Sequence, residues 1–283
     1  MTVAQPSLPD FLDTYPDKVR RYKDLLAAQD PEHTPYKSSY EAAQLQSDLA
    51  QQCQQATAGS TNADAPTTVI PNTDVHAPTL LGRIGVRRGI ALAGTDLRQD
   101  ALEALQRGMK HLRQQQPCED LLSLINALNA LGALHCALDQ LRDGAEQLRA
   151  AEAAFHASQG DAAALRGSQQ LLQLEGERGE GAARVLEDAH TTTVHYLAQV
   201  YQNMGEAAQA AEYCALTLQR QSEALGALCA LWFLGAALPC RRAAPMPRLA
   251  CVAGPGPCMI CRLHCCKGLV LNVTIALPAA VLA

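Results

Sequence analysis

Apolar positions recur at helical spacing through most of the first 223 residues, which predicts α-helices rather than strands. An amphipathic run from Pro9 to Gln29, a turn at DPEHTP and a second run from Tyr36 to Cys53 predict a helical hairpin over residues 8–55. Residues 56–79 hold Ala, Thr, Asn, Asp and three prolines without an apolar period, the signature of a flexible linker. The helical period returns over 80–158, interrupted near AGTD, QPCE and RDG, and predicts further hairpins. The glycine-rich stretch 159–181 reads as a long loop, helical at most in its middle, and a last helix pair follows over 182–223.

The interrupted segments repeat. A tetratricopeptide unit is two antiparallel helices in about 34 residues, with a small residue at position 8 where the helices cross and others at 20 and 27. Bulk at position 8 would push the paired helices apart. Setting Gly132 at position 8 puts Leu128, His135, Gly144, Leu148 and Ala151 at 4, 11, 20, 24 and 27. Setting Ala198 there puts Tyr201 at 11, Gly205 at the turn, Ala210 at 20 and Cys214 at 24. Gly89 anchors a third unit with Leu92, Ala101, Leu105 and Gly108. The expected fold is all-α, a tetratricopeptide-like helical-hairpin solenoid, truncated and followed by a poorly structured tail; a generic helical bundle is the alternative. In such a solenoid the first helix of each pair lines the inner wall. In the last unit those inner positions are Thr192, His195, Gln199, Gln202 and Asn203, all polar. They suit hydrogen bonding to a helix or peptide, or simply a solvated face.

Composition agrees with helices: aromatic residues are 4%, and Ala, Leu and Gln dominate. A net charge of -5 gives no pull toward nucleic acid. The opening MTVAQPSLPDFLDTYPDK has no apolar core behind a basic flank, which predicts a cytoplasmic protein. Cys53, Cys118, Cys136 and Cys214 stand singly and read as reduced thiols. After Glu223 no Asp or Glu occurs, and Cys, Pro and Ala rise together. Residues 224–283 therefore read as a disordered or non-native extension. Its 14-residue apolar run before Pro239 is short of the roughly 20 residues that span a membrane, so no membrane partner is expected.

Little in the chain suggests catalysis. Cys258, Cys261, His264 and Cys265, with Cys266, form CxxCxxHCC, a spacing compatible with tetrahedral zinc. No second CxxC pair lies at finger spacing, so the cluster reads as cysteine bias and no metal or cofactor is expected. His190, His195 and Tyr196 near Glu187 lack a nucleophile in a recognisable frame. GRIGVRRG at 82–89 matches neither phosphate-loop pattern. Its Arg83, Arg87 and Arg88 are expected on the outer face of a helix, available to an acidic partner.

HYLAQVYQNMG at 195–205 and AAEYCALTLQRQ at 210–221 closely resemble the matching stretch of the KIF-binding protein family. PEHTPYKSSY at 31–40 is similar to that family's N-terminal segment, and NALGAL at 129–134 to its middle repeat, in the same order. The resemblance covers roughly residues 15–222 and stops where the acid-free tail begins. It implies a tetratricopeptide solenoid, not an enzyme, that clasps kinesin motor domains and blocks their microtubule attachment, in the cytoplasm and at the cytoskeleton. It also implies motor contacts at Tyr196, Gln199 and Gln221, beside the inner-wall residues His195, Gln202 and Asn203. No nucleic acid or small-molecule substrate is implied. A generic adaptor for a peptide or assembly partner is the alternative.

Overall fold

Helix follows helix in a computed structural model that describes residues 7–58, 69–70, 75–114, 118–159, 162–177 and 181–220. The helices are α1 (Leu8–Ala27), α2 (Lys37–Ala58), α3 (Ala77–Ala93), α4 (Arg98–Leu112), α5 (Leu121–Ala137), α6 (Leu141–Ser158), α7 (Ala162–Leu174) and α8 (Ala182–Met204). A further helical stretch, α9, covers residues 207–220. The sole β feature among the described residues is an isolated antiparallel bridge between Val69 and His76. The all-α fold expected from the periodicity is therefore what forms.

Local chemistry explains where the helices begin and end. Ser7 caps α1 by accepting from the Asp10 amide while Asp10 reaches back to the Ser7 amide, a complete capping box. Asp120 caps α5 by accepting from the Ser123 amide at 3.1 Å. At the other end of α8, Gly205 takes the left-handed conformation (φ 78°), and the Glu206 amide donates to the Tyr201 carbonyl at 2.9 Å. That closes a Schellman turn at the residue expected to be the turn of the last unit.

Consecutive helices pair as hairpins, α1 with α2, α3 with α4 and α5 with α6, and α6 then packs on α8. Small residues set how closely two of these pairs approach. A Cβ placed on Gly89 would lie 2.5 Å from Leu105 Cγ, and one on Gly132 would lie 2.5 Å from Leu148 Cγ. Positions 8 and 24 of two repeat units therefore meet across each hairpin, as the alignment requires. A Cβ on Gly144 at position 20 would be equally crowded, 2.5 Å from Cys136 Sγ and 2.9 Å from the Gly132 carbonyl oxygen.

Two segments differ from expectation. Within 159–181, α7 occupies Ala162–Leu174 and includes Gly167; its Leu171 and Leu172 are buried. Gly167 is needed there because a Cβ would run into the Glu119 carbonyl oxygen at 2.1 Å. At residues 56–79, α2 continues to Ala58 and α3 starts at Ala77. Between them Ile70 and Val75 are fully buried beside Phe11, Tyr15 and Leu80. Among the described residues of the stretch, these two isolated apolar side chains anchor it without following a helical period. The tail 224–283 lies outside the described residues.

The largest correction concerns the arginines. Arg83 is not on an outer face: it is 3% exposed, and it joins three elements. Its Nη1 donates to Asp120 Oδ2 at 2.9 Å, and its Nε and Nη2 grip Glu175 at 2.6 and 3.0 Å. Arg87 Nη2 reaches the same Glu175 at 2.7 Å, and its Nη1 donates to the Tyr15 hydroxyl at 3.2 Å. Burial pushes the Glu175 carboxyl up, but Arg83 and then Arg87 overcome that and hold it at about 2. Two cations and two anions share one dry site, so the charge closes locally. Removing one partner would strand the others.

Two outcomes are expected from this packing. Gly132→Ala should destabilise the chain by roughly 1–3 kcal/mol, whereas Gly94→Ala, with open space around its Cβ, should leave the thermal midpoint almost unchanged. Glu175→Gln should cost about 3–5 kcal/mol in urea unfolding near neutral pH. The folded-state pKa of Glu175 lies below its ordinary value of 4.5, so its contribution is complete above that pH and is lost as pH falls toward about 2. The gap between wild type and Glu175→Gln should therefore narrow over that window.

Candidate partner-binding site

The polar stripe of α8 follows from helical geometry. At about 100° per residue, Thr192, His195, Gln199, Gln202 and Asn203 fall on one side. Val194, Leu197, Val200 and Tyr201 fall on the other and are buried. The buried side meets Ala145 and Leu148 of α6 and Ala210 of α9 in one apolar cluster. Anchoring is reinforced by Tyr201, whose ring stacks on Tyr213 of α9 at 5.5 Å between centroids. The Arg149 guanidinium donates to the Tyr201 hydroxyl at 2.5 Å and lies 5.3 Å from its ring centroid. The stripe is thus carried on a helix fixed along its whole rear face.

Five of the six expected contact residues lie on α8; Gln221 lies outside the described residues. Gln202 and Asn203 are exposed, while His195, Tyr196 and Gln199 are half-buried. Gln199 Nε2 lies 3.0 Å from His195 Nε2, so the amide donates and the imidazole accepts through that nitrogen. Burial lowers the His195 pKa, which favours this neutral form. Tyr196 sits at the flank of the stripe, against the α6–α8–α9 cluster, and burial raises its hydroxyl pKa. Its ring centroid is 6.0 Å from that of His195. Tyr196, His195 and Gln199 therefore form one contiguous surface of a phenol, an imidazole and an amide, with Gln202 and Asn203 extending it toward the helix C-terminus. Such a surface can hydrogen-bond and pack against a protein partner; among the described residues it presents no nucleophile beside a base.

The other candidates resolve differently. His190 does not join His195: the two lie about 140° apart around α8, and His190 is fully buried, stacked on Phe155 with centroids 3.8 Å apart. The cysteine cluster Cys258, Cys261, His264 and Cys265 lies outside the described residues. Cys53, Cys118, Cys136 and Cys214 are free thiols, and burial pushes the Cys118 thiol up to about 11, away from reactivity. No helix among the described residues is long and apolar enough to cross a membrane.

Sequence reasoning missed the Arg83–Asp120–Glu175 centre, although a signal was present. Arg83 and Arg87 are one helical turn apart in a segment where Gly82, Gly85 and Gly89 press the helix against α4. A helix packed that closely leaves few outward positions. It missed also the grouping of Glu152, His156 and His190, whose donor atoms all lie within 4.8 Å of one another.

With this geometry in hand, similarity to known proteins can be placed on it. No protein-family profile matches the chain, and no solved structure matches it. Among curated proteins, the chain is similar to a KIF-binding protein of Gallus gallus, with 30% identity over 235 residues. The match covers 78% of this chain but 36% of that protein, so the chain spans about a third of its relative's length.

Proposed function

We propose that the chain is a member of the KIF-binding protein family and a non-enzymatic scaffold of tetratricopeptide type. In this reading it binds kinesin motor domains in the cytoplasm and hinders their attachment to microtubules, so regulating microtubule-based transport and cytoskeleton organisation. The observation that carries it is the 30% identity over 235 residues to a protein named for binding KIF. Support comes from the α8 stripe, where Tyr196 and Gln199, the described motor-contact positions implied by the resemblance, adjoin one another on a helix held from behind.

The mechanism needs no chemistry beyond recognition. A stripe that is already hydrogen-bonded at His195–Gln199 loses little side-chain freedom on binding. Tyr196 supplies a large amphipathic contact area of the kind that dominates interface energetics. A motor held against this helix is hindered from engaging its track.

Microtubule co-sedimentation tests the proposal. Adding the chain should lower the fraction of a kinesin motor domain that pellets with microtubules. Tyr196→Ala with Gln199→Ala should weaken the effect by about tenfold, the scale of one truncated hot spot. Because Tyr196 also touches the apolar cluster, Gln202→Ala with Asn203→Ala serves as an exposed pair that should weaken binding without lowering the thermal midpoint. Undiminished pelleting at saturating chain would sink the kinesin role and favour an adaptor for a different peptide or assembly partner.

A further inference from the structure

Buried imidazoles ordinarily have a hydrogen-bond partner, and an unmade bond costs about 1–3 kcal/mol. His190 is an exception. It has 0% exposure, and neither Nδ1 nor Nε2 has a hydrogen-bond partner. Stacking on Phe155 covers one ring face but leaves both nitrogens in the ring plane unaccounted for. What lies beside them is informative. His156 of α6 meets His190 edge to face at 5.2 Å between centroids, and Glu152 stands one turn before His156 on the same face of α6. One donor atom from each of the three lies within 4.8 Å of the others.

We propose that Glu152, His156 and His190 form a binding site for a late first-row divalent metal ion of the zinc type, clamping α6 to α8. The site is independent of the kinesin reading and involves none of the tail cysteines. Two imidazoles and one carboxylate suit zinc, with a fourth position left for water. Ligand atoms on one tetrahedral zinc sit roughly 3.3 Å apart, given bonds of about 2.0–2.1 Å. Closing the site is therefore a matter of side-chain rotation. His156 is exposed and gives an ion access, Glu152 is half-buried and His190 is buried. Glu152 is already oriented: the Tyr213 hydroxyl of α9 donates to its Oε2 at 3.0 Å, leaving Oε1 for the ion. That is the arrangement by which outer partners fix a ligating carboxylate.

The charges around the site fit as well. A metal ligand must be an imidazole with a free ring nitrogen, and His190 is buried with neither nitrogen hydrogen-bonded. Arg220 would oppose a cation, but it is paired with Glu187 at 3.3 Å. Glu152 supplies a negative charge on the open side. Bound there, the ion would pin α8 to α6 beside the Phe155–His190 stack, where the two helices already meet.

Testing uses the full chain with all seven cysteines after Glu223 (Cys229, Cys240, Cys251, Cys258, Cys261, Cys265 and Cys266) replaced by Ser, so that tail thiolates cannot bind. Titration with Zn2+ by calorimetry and with Co2+ by visible absorption should each show one equivalent. The cobalt spectrum should be of low coordination number and lack a thiolate charge-transfer band. The exposed-ligand variant His156→Ala should lose at least about tenfold in affinity while its circular dichroism is unchanged. His190→Phe preserves the stack and removes the orphaned nitrogens; in metal-free buffer it should be at least as stable as its parent, and Zn2+ should raise the thermal midpoint of the parent but not of this variant. Absence of stoichiometric binding, or equal binding by parent, His156→Ala and His190→Phe, would overturn the proposal.

Discussion

The buried pairing of Arg83 with Asp120 and Glu175 is the interaction on which the rest of the described structure depends. It joins residues 37 and 92 positions apart, fastening the N-cap of α5 and the end of α7 to the middle of α3. Arg87 and Tyr15 extend it to α1. An array of helical hairpins usually stacks through apolar faces between neighbours, each unit touching only the next. Here a buried charged centre fixes non-neighbouring helices to one another. Its worth is conditional: a buried ion pair adds little when intact and costs several kcal/mol when broken. The consequence is register, since no other sliding position of α3 would satisfy both carboxylates.

Around that centre, small residues decide how close the helices come. Gly89 against Leu105 and Gly132 against Leu148 bring each hairpin into contact at the same repeat positions, and Glu119 continues the order outward. Its carboxylate accepts from the His76 amide at 3.0 Å and the Thr79 hydroxyl at 2.7 Å, capping the first turn of α3, while its carbonyl lies against Gly167 of α7. Glu119 and Asp120, just before α5, thus tie three helices together. The same logic places the candidate binding face: α8 is held by Leu197, Val200 and Tyr201 from behind, so its polar side stands free of the core without being loose.

Much of this was legible in the chain. Helical period and small residues at positions 8, 20 and 27 foretold the hairpins, because the crossing of two helices leaves a direct steric mark on sequence. The five-residue polar stripe was legible for the same reason, as alternation around one helix. What could not be read were features made by residues distant in sequence. Arg83 looks like a solvated arginine until Glu175 is known to be beside it, and Ile70 and Val75 look like chance apolar residues in a linker until their core is known. α7 was obscured by glycines at 160, 167 and 176, of which Gly167 serves close packing and Gly176 the left-handed turn that ends the helix (φ 81°). His190 was set aside as an acid-base group, and it packs on the buried side of α8.

Hydrogen–deuterium exchange of the full chain, alone and with a kinesin motor domain, tests the central claim most directly. A rigid array presenting the α8 stripe predicts slow exchange of α3, α5 and α8 in the free chain and added protection on complex formation concentrated in residues 192–203. Complex formation with protection elsewhere and none in α8, or no change at saturating motor domain, would contradict the account.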